Sequence, residues 1–301
     1  MELKPSELII NKDGSIFHLH LLPEDIADDI ILVGDLGRVD TVASFFDHIE
    51  LKKQNREFYT ITGKYKNKRI TVLSTGIGTD NIDIVVNELD ALVNIDLKNR
   101  ILKEEHHSLN LIRIGTSGSL QKHVPVDSVL MSVRSIGFDG LLNFYDNREK
   151  IADRDFENAF KKNVDWDEIL PSPYVVNASE KMIKRFEGNQ IIKGVTISAP
   201  GFYGPQGRQL RLPILMENIN DKIEAFEYKG QKITNYEMES SAIYGLSGLL
   251  GHNAITLCAI IANRATKEFS KDYKPIIVNL IQYVLDKLVI SDWKLTIKTR
   301  N

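Results

Sequence analysis

The chain has 301 residues, 43% of them hydrophobic and 26% charged, with a formal net charge of −3. That balance excludes a global electrostatic pull toward nucleic acid or an anionic membrane, so any anion site must be assembled from a few local cations. A single cysteine, Cys258, excludes an intrachain disulfide framework and a cysteine-based metal cluster, and the apolar run around it reads as core.

No segment approaches the roughly 18 apolar residues that a membrane span requires, and Met1-Glu2-Leu3-Lys4 does not lead into a secretory signal. The expected address is cytoplasmic. Short β-branched runs alternate with amphipathic segments and no internal repeat is visible. This is the pattern of a single α/β domain over residues 1–301, a central mixed twisted sheet flanked by helices.

In chain order, Ile30-Ile31-Leu32-Val33 reads as a buried strand that ends in Gly34-Asp35-Leu36-Gly37-Arg38, before an apolar-periodic helix from Val39 to Phe46. Strand, glycine turn and helix form a phosphate-friendly geometry: backbone N–H groups approach an anion closely, and Arg38 can add a bidentate contact. A plain turn is the other reading of Gly-x-x-Gly. Residues 57–63 and 69–73 read as a hairpin turning over Lys64–Lys68, and the second strand runs into Ser74-Thr75-Gly76-Ile77-Gly78 before a helix from Asp80 to Leu92. A third strand, Leu111–Ile114, ends in Gly115-Thr116-Ser117-Gly118. An arginine inside it, Arg113, is costly unless an anion or a carboxylate meets its charge. Sites in open α/β sheets lie beyond the carboxyl ends of strands, so three such loops can converge on one ligand.

Further on, Asn235-Tyr236-Glu237-Met238-Glu239-Ser240-Ser241-Ala242 places polar chemistry at the mouth of an apolar helix that runs through Ile243, Leu246 and Leu249 to Gly251. One reading is a first helical turn with acids favoured by the dipole and Asn235 as cap. The other has Glu239 accepting hydrogen bonds from vicinal hydroxyls over an apolar floor made by Met238. A strand over Ala254–Ile261 ends in Ile261-Ala262-Asn263-Arg264, Tyr273–Leu288 closes the fold as an amphipathic helix, and Val289–Asn301 reads as a short tail. Residues 97–107, with His106-His107, and 146–167 read as charged, solvent-facing insertions. The His pair lacks an evident third metal ligand, which leaves metal binding an open question.

Taken together, Gly34-Asp35-x-x-Arg38, Ser74–Gly78, Arg113-Ile114-Gly115-Thr116 and Glu237-Met238-Glu239 resemble, in order and spacing, the motifs of the nucleoside phosphorylase superfamily. They span the chain from about Ile30 to Arg264. One departure is Leu36, where the family usually has proline. Three further segments are most similar to the uridine-cleaving branch: Phe17-His18-Leu19, Asn55-Arg56-Glu57-Phe58 and Gly201-Phe202-Tyr203-Gly204-Pro205-Gln206-Gly207-Arg208.

The resemblance implies phosphate binding by Gly34, Arg38, Arg113 and Thr116, with Arg56 from a neighbouring subunit. It implies ribose binding by Met238, Glu239 and a neighbour's His18, and base binding by Phe202, Gln206, Arg208, Ile261 and Ala262. Arg113, Gln206, Arg208 and Glu239 would carry the reaction. The expected co-substrate is inorganic phosphate, with no organic cofactor. A monovalent cation between dimer mates near Glu57, Ile77 and Asn81 remains open, since the family's usual serine is Asn81 here. Nucleic acid and membrane are not expected partners; a homodimer, or a hexamer of dimers, with shared sites is.

The chemistry suits these residue types. Uracil offers an acceptor-donor-acceptor edge that a glutamine amide can meet with both its donor and its acceptor. Donors aimed at the base oxygens bind the transition state better than the substrate, because negative charge moves onto the base as the glycosidic bond breaks. Purine-cleaving members typically carry an aspartate near Asn263 that protonates N7, and an amide cannot do this. The expectation is therefore phosphorolysis of uridine, or of deoxyuridine or thymidine. The alternatives are another nucleoside phosphorylase or a hydrolase, and a catalytically silent nucleoside-binding protein.

Overall fold

In the computed structural model, which describes residues 3–298 and the side chains through residue 290, β1 (Asp29–Val33) leads into α1 (Leu36–Ala43). An antiparallel run of β2 (His48–Asn55), β3 (Phe58–Tyr65) and β4 (Lys68–Ser74) follows, then α2 (Thr79–Asn94). A small ribbon of β5 (Ile95–Asp96) and β6 (Ile101–Leu102) precedes β7 (Asn110–Ser119) and β8 (Val129–Gly137). Next come α3 (Arg154–Val164), β9 (Tyr174–Asn177), α4 (Glu180–Phe186), β10 (Ile191–Ser198) and α5 (Ile219–Ala225). The chain finishes with β11 (Glu227–Tyr228), β12 (Gln231–Glu237), α6 (Ser240–Leu250), β13 (Asn253–Asn263), β14 (Glu268–Phe269) and α7 (Lys274–Lys298).

The main sheet is mixed, ordered β11-β12-β10-β8-β13-β7-β1-β4-β3-β2. β12 also pairs antiparallel with β7, through Asn235↔Ser119 and Tyr236↔Gly118. That second pairing closes β7, β13, β8, β10 and β12 into a ring, so half of the sheet is a small barrel and half an open wing. β1 is buried along its whole length, as a strand covered on both faces must be. α2 turns Ile82, Val85, Val86, Leu89 and Leu92 inward at helical spacing.

Several expected boundaries move, each for a local reason. Asn235 to Glu237 end strand β12 instead of opening a helix; Glu239 is the N-cap residue of α6, and Gly251, at φ +77°, caps its far end. The hairpin between β3 and β4 turns on Lys66-Asn67 alone, both at positive φ, which suits the twist of the flanking strands. Gly115 to Gly118 continue β7 because β13 pairs with them. α1 starts at Leu36, not Val39, since the Asp35 side chain accepts from Gly37 N at 3.1 Å and caps it. Leu36 is thus the first helical residue, a position that proline also fills well.

The segment 146–167 is no solvated insertion: Phe156, Phe160 and Val164 of α3 are buried with Phe138 and Phe226 in a second core. Helix α7 continues to Lys298 where a tail was expected from Val289, and residues 299–301 lie outside the described part.

Candidate active site

Parallel pairing of β1 with both β4 and β7 sets the ends of β1 and β4 beside the middle of β7, with Leu32 opposite Arg113. The Gly34 and Gly76 loops abut, a Cβ on Gly34 meeting the Gly76 carbonyl at 3.4 Å. From the first turn of α1, Arg38 reaches across and donates through Nη1 to the Ile114 carbonyl at 3.2 Å. Burial, and then the neighbouring Arg113 charge, hold the Arg38 guanidinium below its ordinary value. Two neighbouring cations with little solvent around them favour a bound anion. Thr116 lies half-buried three residues beyond Arg113.

Arg113 itself is 6% exposed. Its Nη2 donates to Glu239 Oε2, and its Nη1 lies 3.4 Å from Glu237 Oε2. Burial pulls the guanidinium down, but the two carboxylates outweigh it and the net shift is upward. Glycine at 115 makes room for the Arg113 guanidinium, which a Cβ there would push aside. The Arg113 Nε donor is buried without a partner, and a buried donor of that kind calls for a ligand. Glu239 Oε1 accepts from Gly78 N at 2.8 Å. Burial raises the Glu239 carboxyl, against the opposing pull of Arg113. Met238 is half-buried between the two acids.

The loop after β10 supplies a different environment. Phe202 is 51% exposed, and the Arg208 guanidinium sits 3.9 Å above its ring. Gln206, on the short 3-10 turn Gly204–Gln206, is buried. Its Oε1 accepts from Arg208 Nη1 and, at 3.2 Å, from Arg264 Nη2. Two arginines thus converge on the side-chain carbonyl of Gln206.

Arg264 also donates to the Gln206 backbone carbonyl at 2.5 Å and lies 4.8 Å over the Tyr236 ring. Sequence reasoning did not assign Arg264 to the site. The available signal was an arginine directly after the end of an apolar strand, weaker than an arginine inside one. Ile261 and Ala262 lie half-buried near the end of β13, just before it.

A family profile described as the phosphorylase superfamily matches residues 28–289. The chain belongs to the phosphorylase superfamily. It is similar to a uridine phosphorylase of Thermococcus kodakarensis, 28% identical over 86% of this chain and 82% of the relative. It is also similar to a DeoD-type purine nucleoside phosphorylase of Oceanobacillus iheyensis, 25% identical over 83% of this chain and 88% of the relative. Among solved structures, a Trypanosoma brucei nucleoside phosphorylase described as showing uridine phosphorylase activity superposes with a TM-score of 0.85 at 29% identity, covering 94% of this chain and 99% of that one. Phosphorylases of nucleosides are pentosyltransferases, and this chain is an enzyme of that superfamily.

Not all of the expected superfamily residues come together within one chain. His18 Nδ1 bonds Glu88 at 2.6 Å, and Asn55 donates to the His18 carbonyl; Arg56, exposed and at φ +54°, lies 5.8 Å over Phe17. Glu88 follows Gly78, the partner of Glu239, by ten residues along α2, a rise of ~15 Å. His18 is thus held ten residues along α2 from the Gly78–Glu239 contact, with Arg56 beside its neighbour Phe17.

Asn263 is committed to the fold, donating to the Gln121 and Val124 carbonyls and accepting from Thr266 N. His106 does meet two further groups, His252 and Asp90. However, His252 Nδ1 accepts from Leu109 N, so its Nε2, 3.2 Å from Asp90, carries the proton and has no lone pair for a metal.

Proposed function

We propose that this superfamily member is a uridine phosphorylase. A phosphate oxygen attacks the ribose C1′ from the face opposite the base; the C1′–N1 bond breaks and its electron pair leaves with uracil, which takes up a proton, giving uracil and ribose 1-phosphate. The observation that carries the reading is the adjacency of the Arg38–Arg113 pair, with its unpartnered Nε donor, to the buried Glu239 carboxylate. Phosphate would neutralise the cations while the ribose hydroxyls engage Glu239 and the Met238 floor, and positioning would supply most of the rate. Arg208, Gln206 and Arg264 direct donors at the base oxygens, where they stabilise the charge that develops as the bond breaks.

Incubating the protein with uridine, thymidine and inosine, with and without phosphate, and following free base tests this. Uridine should be cleaved only with phosphate, and inosine poorly. Faster inosine cleavage, or cleavage that ignores phosphate, would overturn it.

The assembly proposal is a homodimer with shared sites, His18 and Arg56 serving the partner's ribose and phosphate. The separation of His18 from Glu239 along α2 supports it. In a two-fold dimer, chains bearing His18→Ala and Glu239→Ala rebuild up to about half of the sites in each heterodimer. Co-refolded mixtures should regain uridine cleavage that neither homodimer has, and confirmed heterodimers that stay inactive would end the shared-site reading.

A monovalent cation near Glu57, Ile77 and Asn81 belongs to the same proposal. Asn81 Nδ2 and Glu57 Cγ are the side-chain atoms nearest to where a Cβ on Gly76 would lie, so an ion there would need the Glu57 carboxylate and the Asn81 carbonyl turned to face it.

A further inference from the structure

The two acids of Glu237-Met238-Glu239 stand in opposite surroundings. Glu239 keeps its oxygens on Gly78 N and Arg113. Glu237, with a side chain 1% exposed, turns back into the protein. Its Oε1 accepts from the Ser198 hydroxyl at 2.5 Å and the Ser240 hydroxyl at 2.7 Å. Its Oε2 accepts from the backbone N–H of Glu239 and of Ser240, each at 3.0 Å. The Ser240 N–H also reaches Oε1, at 3.1 Å. Arg113 Nη1 completes the shell at 3.4 Å. Every group that bonds its two oxygens is a donor or a cation. A carboxylate has about four lone-pair positions, so this one has none left for a ligand.

We infer that Glu237 is a positioning residue for phosphorolysis, aiming Arg113 at phosphate and Glu239 at ribose while touching neither substrate. The inference rests on the phosphorolysis reading above. Its argument is geometric. By accepting from Glu239 N and Ser240 N, Glu237 acts as the side-chain cap of α6, since the Glu239 side chain makes no capping bond. The Met238–Glu239 peptide is therefore fixed from behind, and with it the direction of the Glu239 carboxylate.

The Ser198 hydroxyl that donates to Glu237 also accepts from Ser241 N at 2.9 Å, tying the end of β10 to the first turn of α6. On its other side Glu237 gives Arg113 a second carboxylate. When ribose hydroxyls draw on Glu239, the guanidinium keeps a buried counter-charge and its orientation. Glutamine at 237 would set an amide NH2 against these donors. Aspartate, one methylene shorter, would keep the charge beside Arg113 but fall short of the helix amides.

The test compares Glu237→Gln and Glu237→Asp with wild type by calorimetric titration of inorganic phosphate and by steady-state kinetics with uridine, at a temperature where circular dichroism shows each variant folded. Loss of a charge-assisted bond network predicts a loss of about 10- to 100-fold in both phosphate affinity and kcat/KM for Glu237→Gln. Glu237→Asp should regain phosphate affinity while its KM for uridine stays raised, a split that mere loss of stability does not produce. A folded Glu237→Gln whose phosphate affinity and KM both stay within about twofold of wild type overturns the inference, and so does a Glu237→Asp without the split.

If Glu237→Gln does not fold, Ser198→Ala replaces it. Removing one donor should weaken phosphate binding several-fold, and wild-type binding would again overturn the inference. A wild type that neither binds phosphate nor cleaves uridine sinks the phosphorolysis reading itself, whereas a phosphate-binding wild type matched by its variants sinks only the role of Glu237.

Discussion

The two halves of the site are built on different principles. Arg113, Glu237 and Glu239 stand on or beside paired strands where the barrel closes, buried, with oppositely charged partners. Phe202 to Arg208 stand on a loop, with Phe202 and Tyr203 half-exposed and an arginine whose closest contacts are an aromatic face and carbonyl oxygens. The strand half holds a charge network that is costly to disturb, because breaking one member leaves others buried and unpaired. The loop half holds donors whose loss costs the fold little. On the proposed phosphorolysis, the groups assigned to phosphate and ribose sit on buried paired strands, while those assigned to the base sit on a more exposed loop.

Arg113→Ala probes the strand half and carries the largest expected effect. Leaving Glu237 and Glu239 buried without their cation should lower stability by about 3–5 kcal/mol and reduce kcat/KM for uridine at least about a hundredfold, with phosphate saturation lost. Urea denaturation and phosphate-dependence assays check both. A variant with wild-type stability and phosphate affinity would mean that the two halves do not differ in this way.

Arg208→Ala should separate function from stability. Removing one donor to the developing charge on the base predicts a fall of about a hundredfold in kcat, while the unfolding free energy stays within about 1 kcal/mol, as for other partly exposed positions. A matching large loss of stability would show that the loop is as tightly built as the strands.

The smallest effect concerns Asp139, behind the strand half: it accepts from the Ser241 hydroxyl of α6 and from Tyr174, and follows Phe138 of the second core. Burial raises its carboxyl above the ordinary 3.8, only partly offset by the bonds it accepts. A raised folded-state value means the native state binds the proton more tightly than the unfolded chain. That stabilising contribution is full below about 3.8 and is lost as pH rises through the folded-state value. Asp139→Asn should remove this pH-dependent contribution, seen as a flatter midpoint-against-pH curve in thermal melts. An unchanged slope would show that Asp139 does not carry it.

Much of this was legible in the sequence. β-branched runs ending in glycines gave β1, β4 and the first half of β7, and the loops beyond β1 and β4, because burial on both faces leaves continuous apolar stretches. Arg113 stood out because a charge in an apolar strand demands a partner, and Gly251 marked the end of α6 because a left-handed cap favours glycine.

What sequence alone could not decide is whatever depends on pairings distant in the chain. Whether Gly115 to Gly118 form a loop or a strand is settled by β13, some 140 residues later. Whether residues 146–167 are solvated or packed is settled by aromatic partners such as Phe138 and Phe226. The sorting of the two acids was equally hidden: Glu237 and Glu239 are two residues apart, and local composition treats them alike. Only the closure of β12 onto β7, with Ser198 arriving from β10, turns one inward to saturation and leaves the other facing the site, because hydrogen-bond partners are assigned by tertiary proximity and not by sequence spacing.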